Sequence, residues 1–448
     1  MEPKFKPSLV ETKISSFWEA SKIFASKVDA AKKPFSIVLP PPNANGSLHL
    51  GHALFVFEDV MIRYHLMIGD QVLWLYGTDH AGIETQFVFE KQLRKDGKSR
   101  FDFDRETLFK MIWEFVENSR GQMKTQLKRL GFGLDWSREK YTMDKEIVQI
   151  VYQTFQRLFE KGLVYRAEKL VNYCTRCGTS FSDFEVNYIE RQDPLYFIKY
   201  GPFTIATVRP ETKFRDTALA VNPKDKRYRE FLGKKIKIAG LLGPITMTVI
   251  ADEEVDPKFG TGIMKVTPAH DPHDFELGKR YGLPVTPIIT KQGKMDFSWF
   301  LEEKNAAAKY RLRAEKYQGK KVAEARKLMV EDLKEDGLLV KTDESYSHRI
   351  GVCYRCASVI EPLPLTQWFI KIRPLADQAK KLVEQEKIKV YPKRFKRRLI
   401  QILDNFIDWN ISRQIVWGIR IPAYFCQSTK QWFVSSCTAW CVIKKGKK

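Results

Sequence analysis

The sequence predicts an α/β protein whose parallel sheet is interrupted by a long, strand-rich insertion. An apolar run at 35–39 ends in three prolines and a short polar turn, and a helix-compatible run follows at about Leu48. A second apolar run, 71–75, comes directly after that helix, and a β-α-β crossover implies parallel strands. Two Cys-x-x-Cys pairs bracket the segment 194–344, in which apolar runs alternate with Gly and Pro turns.

Composition indicates a globular protein with two or three domains. The chain has 448 residues, of which 44% are hydrophobic and 29% charged. No uncharged apolar run reaches the roughly 18 residues of a membrane span. The stretch after Met1 is charged and has no signal-peptide core, so we expect a cytoplasmic protein without a membrane partner.

The formal net charge of +22 favours a polyanionic partner, because Lys and Arg bind phosphate backbones by releasing counterions. Solubility or a skewed composition would account for the same charge, and charge alone does not separate RNA from DNA or an acidic protein. Local clusters lie at 393–398 and 444–448.

The segment 40–52 combines a strand end, a polar turn and a helix start. Backbone N–H groups and the helix dipole favour anions there, so the segment predicts a phosphate site. It lacks the glycine patterns of a P-loop or a dinucleotide site. It offers His49 and His52 at i and i+3, with Gly51 leaving room between them. The alternative is an ordinary helix start.

The cysteine pairs Cys174/Cys177 and Cys353/Cys356 predict a structural zinc site. One such pair would also fit a redox site or an accident, but two pairs fit four thiolate ligands. Four thiolates leave no open position, so the metal would hold the neck of the insertion rather than catalyse. The other cysteines, Cys426, Cys437 and Cys441, form no such pattern.

His-Leu-Gly-His at 49–52, after a proline-ended strand, resembles the first signature of the class I aminoacyl-tRNA synthetases. Pro-Pro-Asn at 41–43 and the segment 408–422 resemble their valyl, isoleucyl and leucyl subgroup, and the segments 77–86 and 134–144 resemble the valyl members. The resemblance implies a Rossmann-like parallel-sheet nucleotide-binding domain, interrupted by a β-barrel-like editing insertion with a zinc-knuckle neck.

The same resemblance implies activation of valine with Mg²⁺ and ATP and transfer to tRNA(Val), with no DNA partner. The catalytic residues would be His49 and His52, and these would bind ATP together with Gly51. The residues implied for binding the amino acid are Pro42, Asn43, Asp79 and Trp417, with the carboxylate of Asp79 on the amino group.

Within the insertion, two segments, 203–223 and 259–274, resemble the domain that hydrolyses threonine from mischarged tRNA(Val). A hydrophobic valine site rejects threonine only about 10²-fold, a case for which the valyl enzyme is itself the standard example. The residues implied are Thr207, Arg209, Thr212, Lys265, Thr267, His270, Asp271 and Asp274. Taken alone, Asp271 and Asp274 at i and i+3 would equally fit a helix N-cap with a solvated neighbour. Val208 and Arg215 depart from the family pattern.

The expected organisation is a first half of the catalytic domain at 1–165, a zinc-knuckle neck at 166–193 and 345–370, an editing domain at 194–344, a return to the catalytic domain at 371–425 and a divergent basic tail at 426–448. The family's second signature, Lys-Met-Ser-Lys-Ser, occurs nowhere in the chain. We therefore expect a truncated form that adenylates weakly or not at all alone.

Three other interpretations remain open. The chain could act as an isolated editing deacylase, or as an inactive or split fragment that needs a second chain carrying the missing half. Isoleucyl specificity draws support from 44–46 but is disfavoured by 77–80 and 207–212.

Overall fold

The structure, a computed structural model, describes residues 6–436. The basic cluster 444–448 and the cysteines Cys437 and Cys441 lie outside the described residues. The chain divides into two compact units, one formed by Met1–Gly162 with Ile415–Lys448 and the other by Leu163–Gln414. Among residues 6–436, no helix has both the length and the apolar character needed to cross a membrane.

The helices of the described chain are α1 Pro7–Ser21, α2 Leu54–Met67, α3 Gly82–Lys95, α4 Arg105–Arg129, α5 Lys145–Glu160, α6 Pro272–Tyr281, α7 Ser298–Leu301, α8 Ala308–Tyr317, α9 Val322–Glu335, α10 Arg373–Glu384 and α11 Phe395–Asp404.

The strands are β1 Pro34–Ser36, β2 Gln71–Leu73, β3 Leu75–Thr78, β4 Asp135–Tyr141, β5 Val164–Cys174, β6 Thr179–Phe181, β7 Val186–Gln192, β8 Leu195–Tyr200, β9 Phe203–Thr207, β10 Ala218–Val221, β11 Lys235–Ile238, β12 Ile245–Ala251, β13 Ile263–Val266, β14 Leu339–Asp343, β15 Ser347–Cys353, β16 Glu361–Ile370, β17 Trp409–Asn410, β18 Ala423–Cys426 and β19 Gln431–Val434.

The first unit contains the parallel β-α-β arrangement expected from the sequence. β1 pairs in parallel with β2, and β3 pairs in parallel with β4. Trp74 joins β2 to β3, is 1% exposed, and donates its indole N–H to Glu58 at 3.1 Å. The first strand ends at Ser36, before the predicted end of the run at Leu39, and the N–H of Ile37 makes only a long hydrogen bond, 3.4 Å, to the carbonyl of Leu73.

Helix α2 buries a different face from the one its largest apolar residues suggest. Phe55 and Ile62 are 3% and 1% exposed, whereas Phe57 and Met61 are 71% and 49% exposed. Several helical registers of this apolar sequence would bury comparable area, so the sequence did not select the buried face.

In the second unit, two antiparallel ladders carry the chain into and out of the insertion. β5 pairs with β16 from Val164–Ile370 to Tyr173–Glu361, and β7 pairs with β15. Asp193 then donates its N–H to the carbonyl of Tyr346 at 3.1 Å. The two ends of the segment 194–344 therefore meet, as the interpretation of an insertion requires. Residues 371–414, expected to return to the first domain, belong to this unit because β17 pairs with β16.

The insertion holds a three-stranded sheet, β14-β8-β9, and a four-stranded sheet, β11-β12-β10-β13, which share an apolar core; a smaller apolar cluster joins β10, β12 and β13 to α6. The described strands thus form two sheets rather than one closed barrel. Between β9 and β10 the chain makes a buried 3-10 turn, Pro210–Arg215, which breaks the ladder.

The Pro210–Arg215 turn is fixed by a buried carboxylate. Glu211 is 0% exposed and accepts hydrogen bonds from Arg209 at 3.0 Å and from Arg326 at 2.8 and 2.9 Å. Arg209 also binds Glu361 on β16, at 2.5 Å. The two arginines outweigh desolvation and lower the pKa of Glu211, so the carboxylate stays charged. The turn is therefore tied to helix α9 and to the neck.

Candidate functional site

The polar turn of the first unit holds His49 and His52 as a reciprocal cap. Nδ1 of His49 accepts from the N–H of Gly51 at 3.1 Å, and Nδ1 of His52 accepts from the N–H of His49 at 3.0 Å. The ring centres are 4.2 Å apart. A Cβ on Gly51 would lie 2.8 Å from the His49 ring, so glycine is required for this geometry. Within residues 6–436, Nε2 of neither histidine forms a hydrogen bond.

The segment Pro42–Ala44 lies against the end of strand β3. Ala44 donates its N–H to the carbonyl of Asp79 at 2.8 Å, and Asp79 donates its N–H to that of Pro42 at 2.9 Å. The side-chain amide of Asn43 binds Glu84 on α3. Three of the residues expected to bind an amino acid are thus brought together by backbone pairing.

The carboxylate of Asp79 is oriented through one oxygen. Its Oδ1 accepts from the N–H of Ala81 at 3.1 Å and from the hydroxyl of Thr142 at 3.2 Å, and lies 3.3 Å from Nδ1 of His80. The hydrogen bond from His80 is the main cause of a lowered pKa for Asp79. Among the described residues, nothing bonds Oδ2, which leaves that oxygen available to a cation.

Trp417 supports the Asp79 loop, residues 79–81, through a hydrogen bond. It is 0% exposed, and its indole N–H donates to the carbonyl of His80 at 2.8 Å. Gln86 accepts from the backbone N–H groups of Val416 and Trp417 at 2.8 and 3.1 Å. The structure therefore brings Trp417 to the Asp79 loop, as a buried support.

A second polar cluster lies in the insertion, around Lys265 on β13. Its ammonium group donates to Thr267 at 2.6 Å and to Thr212 at 2.9 Å, and pairs with Asp216 at 3.3 Å. Asp216 has no exposed side-chain surface and also accepts from the hydroxyls of Thr267 and Tyr200, at 2.5 and 2.6 Å. We call Lys265, Thr212, Thr267 and Asp216 the Lys265 cluster.

The two aspartates of the helix N-terminus differ in environment. Asp271 caps α6 and accepts from the N–H groups of His273 and Asp274 at 2.8 and 3.2 Å. Asp274 is 5% exposed and accepts from the N–H of Thr267 at 2.7 Å, which joins it to the Lys265 cluster. Burial first, and then the charge of Asp271, raise the pKa of Asp274 to about 7.

The other three residues expected at this site have structural partners. Besides its two carboxylates, Arg209 donates to the carbonyl of His270 at 3.4 Å, so each of its nitrogens is engaged. His270 accepts from the N–H of Ile288 at 2.9 Å, and burial lowers its pKa to about 3, which keeps the ring neutral. Thr207 accepts from the N–H of Arg209 at 3.0 Å.

The four paired cysteines converge. Their sulfur atoms all lie within 4.8 Å of one another, with Cys174–Cys356 at 3.5 Å and Cys177–Cys353 at 3.9 Å. A tetrahedral zinc site with Zn–S bonds of about 2.3 Å requires sulfur separations of about 3.8 Å, so this donor set fits such an ion. The cluster could hold a metal ion between the two turns that end β5 and β15.

Sequence reasoning missed several contributors. Asp216 lies within the segment 203–223, and the sequence indicates no role for it, although it is the acceptor at the centre of the Lys265 cluster. Thr142 binds Asp79, and Gln86 binds the backbone of Val416; the two residues of each pair are more than 60 positions apart in the sequence. No local pattern marks such pairs, because the contacts exist only once the strands are aligned.

The chain belongs to the class I tRNA synthetases of the I, L, M and V group, whose family model matches residues 13–447. It is similar to the valine–tRNA ligase of Carboxydothermus hydrogenoformans, with 44% identity over 94% of this chain and 47% of that protein. Those of Treponema denticola and Fusobacterium nucleatum are 41% and 42% identical over 97% and 95% of the chain. The chain spans about half the length of these relatives, 47–48%.

Among solved structures, the chain is similar to the leucyl-tRNA synthetase (LeuRS) of the Agrobacterium radiobacter K84 agnB2 ternary complex. The identity is 17% and the TM-score 0.43, over 97% of this chain and 52% of that one. A likeness this remote bears on neither mechanism nor substrate.

We predict that Asp274 titrates near pH 7 and that Asp271→Asn lowers this midpoint, because Asn keeps the cap but removes the neighbouring charge. Carboxyl ¹³C NMR measures both. Since the folded pKa exceeds the ordinary 3.8, the contribution of Asp274 to stability falls as pH rises from about 4 to about 7.

Asp104 is the matched control. It caps α4, and the hydrogen bonds from Thr107 lower its pKa, so it should titrate below 3.8 in both proteins. An Asp274 midpoint below 5 in the unsubstituted chain would contradict the buried arrangement.

Proposed function

We propose that this chain forms the first half of a valine–tRNA ligase, which activates valine with ATP and transfers it to tRNA(Val). The observation that carries the proposal is the Asp79 loop, in which one carboxylate oxygen is oriented and the other is left for a cation. The names of relatives with 41–44% identity support valine as the substrate.

In the proposed reaction, the carboxylate of valine attacks the α-phosphorus of ATP and displaces pyrophosphate. Asp79 holds the α-ammonium group, and Pro42 and Asn43 line the pocket that Trp417 supports. His49 and His52 direct Nε2 toward the phosphates, while Gly51 lets the backbone approach them. Mg²⁺ would neutralise phosphate charge. Catalysis of this kind is mainly positioning and charge stabilisation.

The chain lacks the Lys-Met-Ser-Lys-Ser signature, whose lysines share the triphosphate charge in the family. We therefore propose that valine-dependent exchange between ATP and pyrophosphate is weak or absent with this chain alone. A second polypeptide, or a longer form of the chain, would supply the signature.

The Lys265 cluster and Asp274 are proposed to hydrolyse threonine from mischarged tRNA(Val). Asp274 would bind the α-ammonium group of the aminoacyl ester, and the arriving cation would favour its ionised form. The carboxylate of Asp271 would add to the attraction for the ammonium group, and Thr207, Arg209 and Thr212 would line the ester pocket. Water adds to the ester carbonyl, and the ribose hydroxyl leaves with a proton. The four contacts among Lys265, Thr212, Thr267 and Asp216 support the proposal, because they orient these polar groups toward one another.

The cysteine cluster is proposed to bind structural zinc. The metal would clamp the two turns at the neck of the insertion, where β5 and β15 end. Four thiolates satisfy the ion and leave no position for a substrate, so no catalytic step involves it.

An isolated hydrolase is the second candidate. The residues proposed for deacylation all lie in one compact unit, Leu163–Gln414. Hydrolysis of threonyl-tRNA(Val) without any valine-dependent activation, even when the missing signature is supplied, would favour it.

We predict that Asp79→Asn weakens binding of the stable adenylate mimic 5′-O-[N-(L-valyl)sulfamoyl]adenosine at least tenfold, because it removes the charge that faces the ammonium group. Isothermal titration measures this, with the isoleucyl and threonyl mimics alongside. Asp104→Asn, also in the first unit, is the control and should bind normally. Tighter binding of the isoleucyl mimic than the valyl one would overturn the assignment of valine.

We predict that Lys265→Met slows deacylation of threonyl-tRNA(Val) by at least about 100-fold, because Thr212, Thr267 and Asp216 all lose a shared donor. The rate of release of labelled threonine is the measurement. Lys279→Met, which breaks an exposed pair with Glu276 in the same unit, is the control. Equal rates in the two variants would rule out the proposed role.

For the metal, we predict about one equivalent of zinc per chain by mass spectrometry of metals and its loss in Cys174→Ser. Cys426→Ser removes a cysteine outside the cluster and should keep the metal. Less than half an equivalent, unchanged by Cys174→Ser, would defeat the zinc proposal.

A further inference from the structure

A cavity of about 460 Å³ opens in the second unit beside helices α7 and α8. Its wall combines aromatic and aliphatic side chains with one buried amine, contributed by Lys213, Phe214, Leu242, Trp299, Phe300 and Tyr310. We call it the Lys213 cavity. Its size is in the range of sites for small organic molecules.

Lys213 is 2% exposed, which is unusual for a lysine. Its ammonium group lies 5.3 Å from the ring centre of Tyr200 and 5.9 Å from that of Phe214. Within residues 6–436 it forms no hydrogen bond and no ion pair. Aromatic faces attract the positive charge but leave its N–H groups without an acceptor. Burial is the main cause of a lowered pKa for Lys213, about 8; the charge of Lys265 lowers this pKa further, and the carboxylates of Asp216 and Asp336 act against the shift without a direct ion pair.

The part of the cavity wall that Gly240, Gly243 and Tyr310 form is held in place. Gly240 and Gly243 each donate to the carbonyl of the other at 3.1 Å, and a Cβ on Gly243 would lie 3.3 Å from the Tyr310 ring. Arg215 stacks on Trp299 at 3.7 Å, with its Nε buried and unbonded. The cavity is thus a built structure with two cationic side chains near it.

We propose that the Lys213 cavity binds a small monocarboxylate with an aromatic or branched aliphatic body. The carboxylate would supply the acceptor that Lys213 lacks, and the body would cover Leu242, Trp299 and Tyr310. Glu303 also lines the cavity and would repel a dianion. A singly charged ligand is therefore favoured over a phosphate.

The cavity has its own lining residues, although the charges of Asp216 and Lys265 in the Lys265 cluster act on Lys213. None of the residues proposed for valine activation, deacylation or metal binding lines it. The hydroxyl of Thr212 accepts a hydrogen bond from Lys265, whereas the next residue, Lys213, lines the cavity. The segment 305–316 supplies part of the wall through Asn305 and Tyr310.

The test is isothermal titration of the whole chain with 2-naphthoate and with its uncharged analogue, 2-naphthamide. We expect the acid to bind at least tenfold more tightly than the amide, and we expect Lys213→Met to abolish that preference. Methionine has a similar volume and suits an apolar site, so the fold should persist. Lys237→Met, at an exposed lysine of the same unit, should keep the preference.

A second measurement needs no variant. At pH 8.5 Lys213 is largely neutral in the free chain, so binding of naphthoate should take up a proton, seen as a heat that depends on the ionisation enthalpy of the buffer. Four results would each overturn the proposal: no binding of naphthoate, equal affinity for acid and amide, no proton uptake, or a preference that survives Lys213→Met. Displacement of naphthoate by inorganic phosphate at lower concentration would overturn the ligand class.

Discussion

The buried carboxylate of Glu211 is the constraint on which the second unit depends. A fully buried carboxylate is stable only when oppositely charged groups bind it. Arg209, which precedes the 3-10 turn, and Arg326, on helix α9, both bind Glu211. The 3-10 turn is thereby fixed, and its successive residues point to different places. Thr212 reaches Lys265, while Lys213 reaches the neighbouring cavity. One ion-pair network thus positions both a proposed hydrolytic site and a proposed ligand site.

The expected neck, 166–193 and 345–370, attaches the segment 194–344 to the rest of the second unit and restricts its orientation. Two antiparallel ladders, β5 with β16 and β7 with β15, include strands that end at the converging cysteines. Arg209 links the insertion to β16 through Glu361. The paired strands and the ion pair limit the motion of the insertion more than a flexible linker would, and the proposed metal would add a cross-link between the cysteines. The same arrangement explains why residues 353 and 356 lie next to residues 174 and 177 despite their distance in sequence.

The two proposed amino-acid sites use one principle in different settings. In each, a carboxylate is oriented by neutral donors on one side and left to meet an ammonium group on the other. Asp79 is partly exposed, and its hydrogen bonds lower its pKa. Asp274 is buried beside a second carboxylate, and its pKa is raised to about 7. As proposed, the first site would be charged before substrate arrives, whereas the second would gain charge as a cation binds.

The sequence by itself determined the family, the parallel pairing around the His49–His52 turn, the meeting of the insertion's ends and the cysteine set, because each rests on a local motif or on spacing. Only the tertiary structure decided which side chains share a hydrogen bond. It placed Asp216 at the centre of the Lys265 cluster, engaged every nitrogen of Arg209 and turned Phe57 of α2 to the surface. Hydrogen bonds and burial depend on distances between strands far apart in the chain, and residue type does not encode those distances until the chain has packed.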